Sequence, residues 1–228
     1  MRLFLLIFFP FLLFASNTKF SLGEKLYKEA CISCHGKNGK SNTDMHLPVK
    51  PRKLDKSILT QNQSFQIIKY GAHPFGAHAD IMPTFKYIYD DTQIEALSVY
   101  ITEKFNSNRD KKIQTLLNKS KYSPSNANIK TMLERGKKIF LKKCAKCHGK
   151  TGDGQSEYVR QSKNSDSFIY PYNLQKILLT PQQIFLFSKY GGHFWGTDKD
   201  DMPAWGKKYN DEQLQAVALY IEQYIIQR

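Results

Sequence analysis

Cys31-Ile32-Ser33-Cys34-His35-Gly36 returns as Cys144-Ala145-Lys146-Cys147-His148-Gly149, an offset of 113 positions (144 − 31). Gly23 and Gly136, Tyr27 and Phe140, and Gly39 and Gly152 keep the same offset. From Pro51 onward the offset is 120 (171 − 51), and it holds without a gap to Ile101 and Ile221. Over that stretch Thr60, Lys69, Tyr70, Gly71, His73, Gly76, Met82, Pro83, Asp91, Ala96 and Tyr100 each meet an identical residue. A repeat of this length means two copies of one folding unit. The second copy carries 7 extra residues (120 − 113), placed in the polar stretch Gln155 to Ser167 and read as a loop.

Each copy reads as three helices with long connections. Ser21 with Glu24 forms a capping box that opens the first helix, whose Leu22, Leu26, Tyr27 and Ala30 share a face and lead into the Cys motif. Thr60 with Gln63, and Thr180-Pro181 with Gln183, start the second helix, and Gly71 and Gly191 stop it. The last helix begins near Asp91 or Asp211, with Ile94, Leu97, Ile101 and Phe105 on the apolar face of one copy and Leu214, Val217, Ile221 and Tyr224 on that of the other. No stretch alternates with the period of a strand, so the fold class is all-α.

Met1-Arg2 and the apolar run Leu3 to Ala15 precede the first copy. As a helix this run reaches about 20 Å, short of the roughly 30 Å hydrocarbon core of a bilayer. Residues 1–16 are read as a secretory signal, with a retained membrane anchor as the alternative. The first domain then covers 17–108, a charged linker 109–128, and the second domain 129–228; inside the linker, Ile113 to Leu117 reads as a helical turn. The full chain has 228 residues, 4 cysteines and a formal charge of +14. That is too little cysteine for a disulfide-dense miniprotein, and the 41% hydrophobic content excludes a disordered chain. Twelve Lys and Arg oppose nine Asp and Glu over 17–108, six oppose one over 109–130, and fifteen oppose ten over 131–228.

Two small helical domains bury little apolar surface, and a disulfide three residues apart closes too small a loop to help. Cys-x-x-Cys-His is instead the attachment signature of c-type haem. Positions i and i+3 put both sulfurs on one side of a turn for thioether bonds to two vinyl groups, and the His at i+4 shares that side. A zinc site is disfavoured because 110 residues (144 − 34) separate the pairs, and a thioredoxin-like dithiol lacks its βαβ context.

With these motifs the chain resembles the class I c-type cytochromes and, as a tandem, the dihaem cytochromes of the cytochrome c4 type. The resemblance covers Ser21 to Tyr224 apart from the linker. It rests on Cys31, Cys34, His35 and Met82-Pro83, and on Cys144, Cys147, His148 and Met202-Pro203, each Met standing before a C-terminal helix. It implies two tandem cytochrome c-type helical domains, each wrapped round one covalently attached haem c. It also implies His35 and Met82 on the first iron, and His148 and Met202 on the second. Departures are the histidines of Lys69 to Tyr87 and the charged linker.

Repeat symmetry alone does not choose the sixth ligands, because His73 and His193 align as well as Met82 and Met202 do. The aromatic two residues after Met-Pro (Phe85, Trp205) favours Met, which raises the potential of haem iron relative to a second imidazole. Met45, His46 and His78 lack counterparts and are assigned to the surface. Pro51 and Pro171 are candidates for the carbonyls that orient the proximal rings, with a loop turn as the plain alternative. Tyr70, Tyr190, Tyr100, Tyr220 and Trp205 are read as core, and Arg52, Lys53 and Lys56 as a solvated face with haem propionates as the alternative. Closed six-coordinate iron suits outer-sphere electron transfer and not catalysis. The expectation is a periplasmic shuttle whose basic charge steers it to acidic redox partners such as a reductase, oxidase or peroxidase, with peripheral membrane association as an option and no role for nucleic acid. A dihaem enzyme such as a peroxidase, and a cytochrome subunit of a dehydrogenase, are the alternatives.

Overall fold

The computed structural model describes residues 11–45, 50–77, 82–107, 111–124, 128–162, 171–197 and 202–227, and every regular element among them is helical. In chain order these are α1 (Phe11–Ala30), α2 (Ile32–His35), α3 (Gln61–Tyr70), α4 (Asp91–Ser107), α5 (Lys111–Lys119), α6 (Ile129–Ile139), α7 (Ala145–His148), α8 (Glu157–Ser162), α9 (Pro181–Tyr190) and α10 (Asp211–Tyr220). A π-helical turn, Phe140–Cys144, joins α6 to α7, and another, Ile221–Ile225, extends α10.

Local signals placed most boundaries well. Thr60 with Gln63 and Thr180 with Gln183 form complete capping boxes, and Gly71 and Gly191 end α3 and α9 at φ 77° and 78°. α4 and α10 are capped one residue before the expected start, by Asp90 with Gln93 and Asn210 with Gln213. The box at Ser21 and Glu24 does not open α1, which is already helical from Phe11. Leu12, Leu13 and Ala15 are good helix formers, so preceding turns supply the partners a cap would have provided. Residues 1–10, most of the segment read as a signal, lie outside the described residues. The extra segment of the second copy is not all loop, because Glu157–Ser162 is helical and buries Val159 to 2% exposure.

In each half the first and last helices cross at a glycine. A Cβ on Gly23 would stand 2.1 Å from the Ala96 carbonyl oxygen, and one on Gly136 would stand 2.1 Å from that of Ala216. One turn on, Tyr27 meets Tyr100 and Phe140 meets Tyr220, with ring centroids 5.4 and 5.5 Å apart. The first core gathers Leu26, Ile68, Ile94, Leu97 and Phe105, and the second Phe140, Phe185, Trp195, Leu214 and Val217.

The stretch read as a linker is docked where it is described. Ile113 of α5 is buried in the second core. Ser120 Oγ lies 2.6 Å from Tyr190 Oη, the Gln182 amide donates to Ser120 O at 2.6 Å, and Tyr122 N donates to Gln182 Oε1. Tyr190 is half-buried beneath this strap, whereas its counterpart Tyr70 is 39% exposed and not core.

The two halves meet across a pseudo-two-fold seam. Gln63 and Gln183, both buried, exchange side-chain amide hydrogen bonds of 2.8 Å each way. Gln63 also donates to Leu178 O and Gln183 to Ile58 O, each at 2.7 Å. Lys53 N donates to Gly196 O at 3.1 Å, and its repeat mate Asn173 N donates to Gly76 O at 2.9 Å. The Arg52 guanidinium, read from sequence as a solvated group, lies 5.2 Å from the ring centroids of Tyr172 and Phe187 in the other half.

Candidate haem-attachment sites

α1 delivers Cys31 to the joint before α2, and the π turn delivers Cys144 to the joint before α7. His35 N donates to Cys31 O at 2.9 Å, so Cys31, Cys34 and His35 share a single turn. Gly36 and Gly149 end the two turns at φ 73° and 79°. All four cysteines are free thiols. Burial pushes the Cys31 and Cys144 thiols up to about 12, with the neighbouring Cys34 and Cys147 adding to it, so both stay protonated at neutral pH.

Each histidine is held through one nitrogen. His35 Nδ1 lies 3.2 Å from Arg52 O, and His148 Nδ1 lies 3.0 Å from Tyr172 O. A carbonyl only accepts, so each Nδ1 carries the hydrogen and leaves Nε2 with a free lone pair. Burial lowers both ring pKa values, opposed by the carbonyl bond, and keeps the rings neutral. The carbonyls belong to Arg52 and Tyr172, not to Pro51 and Pro171 as the sequence reading expected. Each lies one residue past the proline, whose fixed φ sets the direction of the extended segment that follows.

Arg52 O also accepts from Ser41 Oγ at 3.1 Å. Among the described residues Ser41 is the only non-glycine with positive φ, at 53°, and its repeat mate is Gly154 at 76°. The hydroxyl bond offsets a left-handed conformation that costs roughly 1 kcal/mol.

The methionine segments are pinned against the C-terminal ends of α3 and α9. Ala72 N donates to Met82 O at 3.3 Å, and Gly192 N to Met202 O at 2.8 Å. A Cβ on Gly71 would meet Met82 O at 2.8 Å, and one on Gly191 would meet Met202 O at 2.6 Å. Lys69 with Asp91, and Lys189 with Asp211, brace the same corner by ion pairs of 2.6 and 2.8 Å. Met82 packs on the core that holds Cys31, and Met202 and Cys144 both border the second core. His73 and His193 are exposed, their Nδ1 atoms bonded locally to Ala77 O and Thr197 O at 3.1 and 3.2 Å. Met45 Sδ lies 3.6 Å from Cys34 Sγ, while His46 and His78 lie outside the described residues.

The donor set fits covalently bound haem in both halves: two free thiols on one turn, a neutral imidazole with Nε2 free, and a thioether on a braced loop. No group of three or more His, Cys, Asp or Glu suited to a metal ion occurs among the described residues.

Fold and sites together define a tandem c-type cytochrome. The family model described as cytochrome c oxidase, cbb3-type, subunit III, matches residues 18–101 and again 131–221, and the chain belongs to that family. The family implies covalently bound haem c and the electron-transfer chemistry that goes with it. Among curated proteins, the cbb3-type cytochrome c oxidase subunit FixP of Bradyrhizobium diazoefficiens is 32% identical over 79 residues, which are 35% of this chain and 25% of the relative's length. Among solved structures, a chain of the Kuenenia stuttgartiensis reducing HAO-like protein complex matches with a TM-score of 0.47 and 19% identity, covering 90% of this chain and 96% of that one.

Proposed function

We propose that this chain is an extracytoplasmic dihaem electron carrier with domains at 17–108 and 129–228. The observation that carries the reading is the Nδ1 bond made by both His35 and His148, because it leaves Nε2 as an oriented donor in each half. Cys31 with Cys34, and Cys144 with Cys147, would each hold one haem c by thioether bonds, with His35 and Met82 as the iron-binding residues of the first half and His148 and Met202 as those of the second. Bound haem supplies iron that gains and loses single electrons. The half-buried histidines and braced methionine loops would leave bound iron no open position for a substrate, which suits outer-sphere transfer. No helix among the described residues is long and apolar enough to cross a membrane.

Substituting Met82 and Met202 by alanine is expected to abolish the weak Met-to-iron charge-transfer band of the oxidised protein, read by optical spectroscopy. A band that survives, or is absent from the parent, overturns the axial assignment and returns His73 and His193 as candidates.

The halves present different faces around their Cys turns. Lys142, Lys143, Lys146, Lys207 and Lys208 of the second half stand where the first has Glu29, Ala30, Ser33, Tyr87 and Ile88. Lys208 lies close enough to Lys143 for its charge to hold that ammonium below the usual lysine range, with Lys142 contributing. In the first half, Tyr87 and Ile88 are 80% and 67% exposed. The second half is therefore the port for an acidic redox partner. Converting Lys143, Lys146 and Lys208 to glutamate is expected to slow electron exchange with such a partner about tenfold at low ionic strength, with the difference vanishing at high salt. The equivalent changes around Ser33 and Ile88 leave that rate unaltered; stopped-flow kinetics in a salt series measures both.

Membership of a family named for an oxidase subunit favours a second reading, a cytochrome subunit of a larger complex. Stable co-purification with a catalytic partner supports it, and free monomer in a periplasmic extract opposes it.

A further inference from the structure

The seam and the two histidine sites share a peptide group. Arg52 O, which accepts from His35, and Lys53 N, which donates to Gly196 O in the other half, are the two ends of one amide. Tyr172 O, which accepts from His148, and Asn173 N, which donates to Gly76 O, are the two ends of its repeat mate. No peptide among the described residues is cis, and in a trans amide the C=O and N–H point in opposite directions. Each amide therefore bridges the histidine of its own half and a glycine carbonyl of the other.

The receiving glycines are built for this approach. Gly76 and Gly196 have φ 88° and 92°; a Cβ on Gly76 would meet Asn173 O at 2.2 Å, and one on Gly196 would meet Lys53 O at 2.8 Å. The reciprocal Gln63 and Gln183 bonds close the same seam.

We propose that these two amides are crossed positioning groups, so that docking of each half sets the strength of the proximal histidine bond in the opposite half. The inference rests on the haem reading above. An N–H engaged by an outside acceptor leaves more negative charge on its own carbonyl oxygen, and hydrogen bonds in series strengthen one another by perhaps 10–30%. A stronger acceptor at Nδ1 raises the basicity of Nε2, which favours oxidised iron. Loosening the contact at Gly76 thus weakens the acceptor for His148, and loosening it at Gly196 weakens the acceptor for His35.

The test is potentiometric titration of the matured full chain. Met82→His and Met202→His each lower one reduction step and so assign the two steps. Gly76→Ala, in the first half, is expected to raise the step of the second by about two- to fivefold in its reduction equilibrium constant. Gly196→Ala raises the step of the first by the same order. A shift confined to the mutated half, or no shift, overturns the crossed relay while leaving the ligand reading intact. If neither Met→His variant moves a step, the ligand reading fails, and the proposal with it. Should the glycine variants fail to mature, the double variant Gln63→Leu, Gln183→Leu opens the seam from outside. It must lower hydrogen-exchange protection of the Lys53 and Asn173 amides and raise both steps; either quantity unchanged overturns the relay.

Discussion

Gly136→Ala is expected to destabilise the second half by about 2–4 kcal/mol, although alanine ordinarily gains up to about 1 kcal/mol over glycine within a helix. The added methyl would lie 2.1 Å from Ala216 O, 2.6 Å from Ala216 C and 2.9 Å from Tyr220 Cβ. These are backbone and near-backbone atoms of a facing helix, so no rotamer change relieves them, and α6 must move away from α10. That movement uncovers Phe140 and Tyr220 together. For a unit of this size the loss corresponds to a fall in melting temperature of roughly 10–20 °C. Thermal unfolding followed by circular dichroism measures it, and a melting temperature at or above the parent's would mean that the crossing is looser than described. Gly23→Ala does the same to the first half, where the methyl would meet Ala96 O at 2.1 Å and Tyr100 Cβ at 2.7 Å.

Replacing Cys144 and Cys147 together by alanine is expected to halve the covalent haem content, from two per chain to one, as counted from the pyridine haemochrome spectrum against protein mass. The two thiols leave one turn as a pair, and the imidazole of His148 alone gives no covalent hold. The first half keeps its own turn, so Cys31→Ala with Cys34→Ala removes the other haem, and all four substitutions together remove both. A parent with a single haem, or a double variant that retains two, would overturn the assignment of one haem to each half. The second half also loses a large apolar partner for its core, so its unfolding should move to lower denaturant while that of the first stays near its parent value.

The residues that carry these predictions differ in how visible they were. The threonine and glutamine caps and the glycine stops of α3 and α9 are interactions spanning three or four residues, and they stood in the sequence as they stand in the fold. Ser21 with Glu24 had the same local form, yet the residues before them are helical too, and a cap signal carries no information about its own redundancy. Gln63 and Gln183 were legible as caps, but their second role, bonding to each other across 120 positions, left no separate mark. Tyr70 and Tyr190 are the same residue in the two copies, yet Tyr190 lies under the strap at Ser120 and against the rings of Phe194 and Trp195, while Tyr70 stays at the surface.

The sequence alone determined that the chain is a tandem of helical units, with two cysteines and a histidine on one turn of each and a methionine loop before each last helix. All of these follow from side-chain identity and short-range periodicity. Only the tertiary structure decided that Arg52 and Tyr172, not the prolines before them, hold the histidine rings, and that the same peptides reach into the opposite half. Every residue after a proline offers the same N–H and C=O, so which partner each one meets is set by how distant segments pack and not by the side chain it carries.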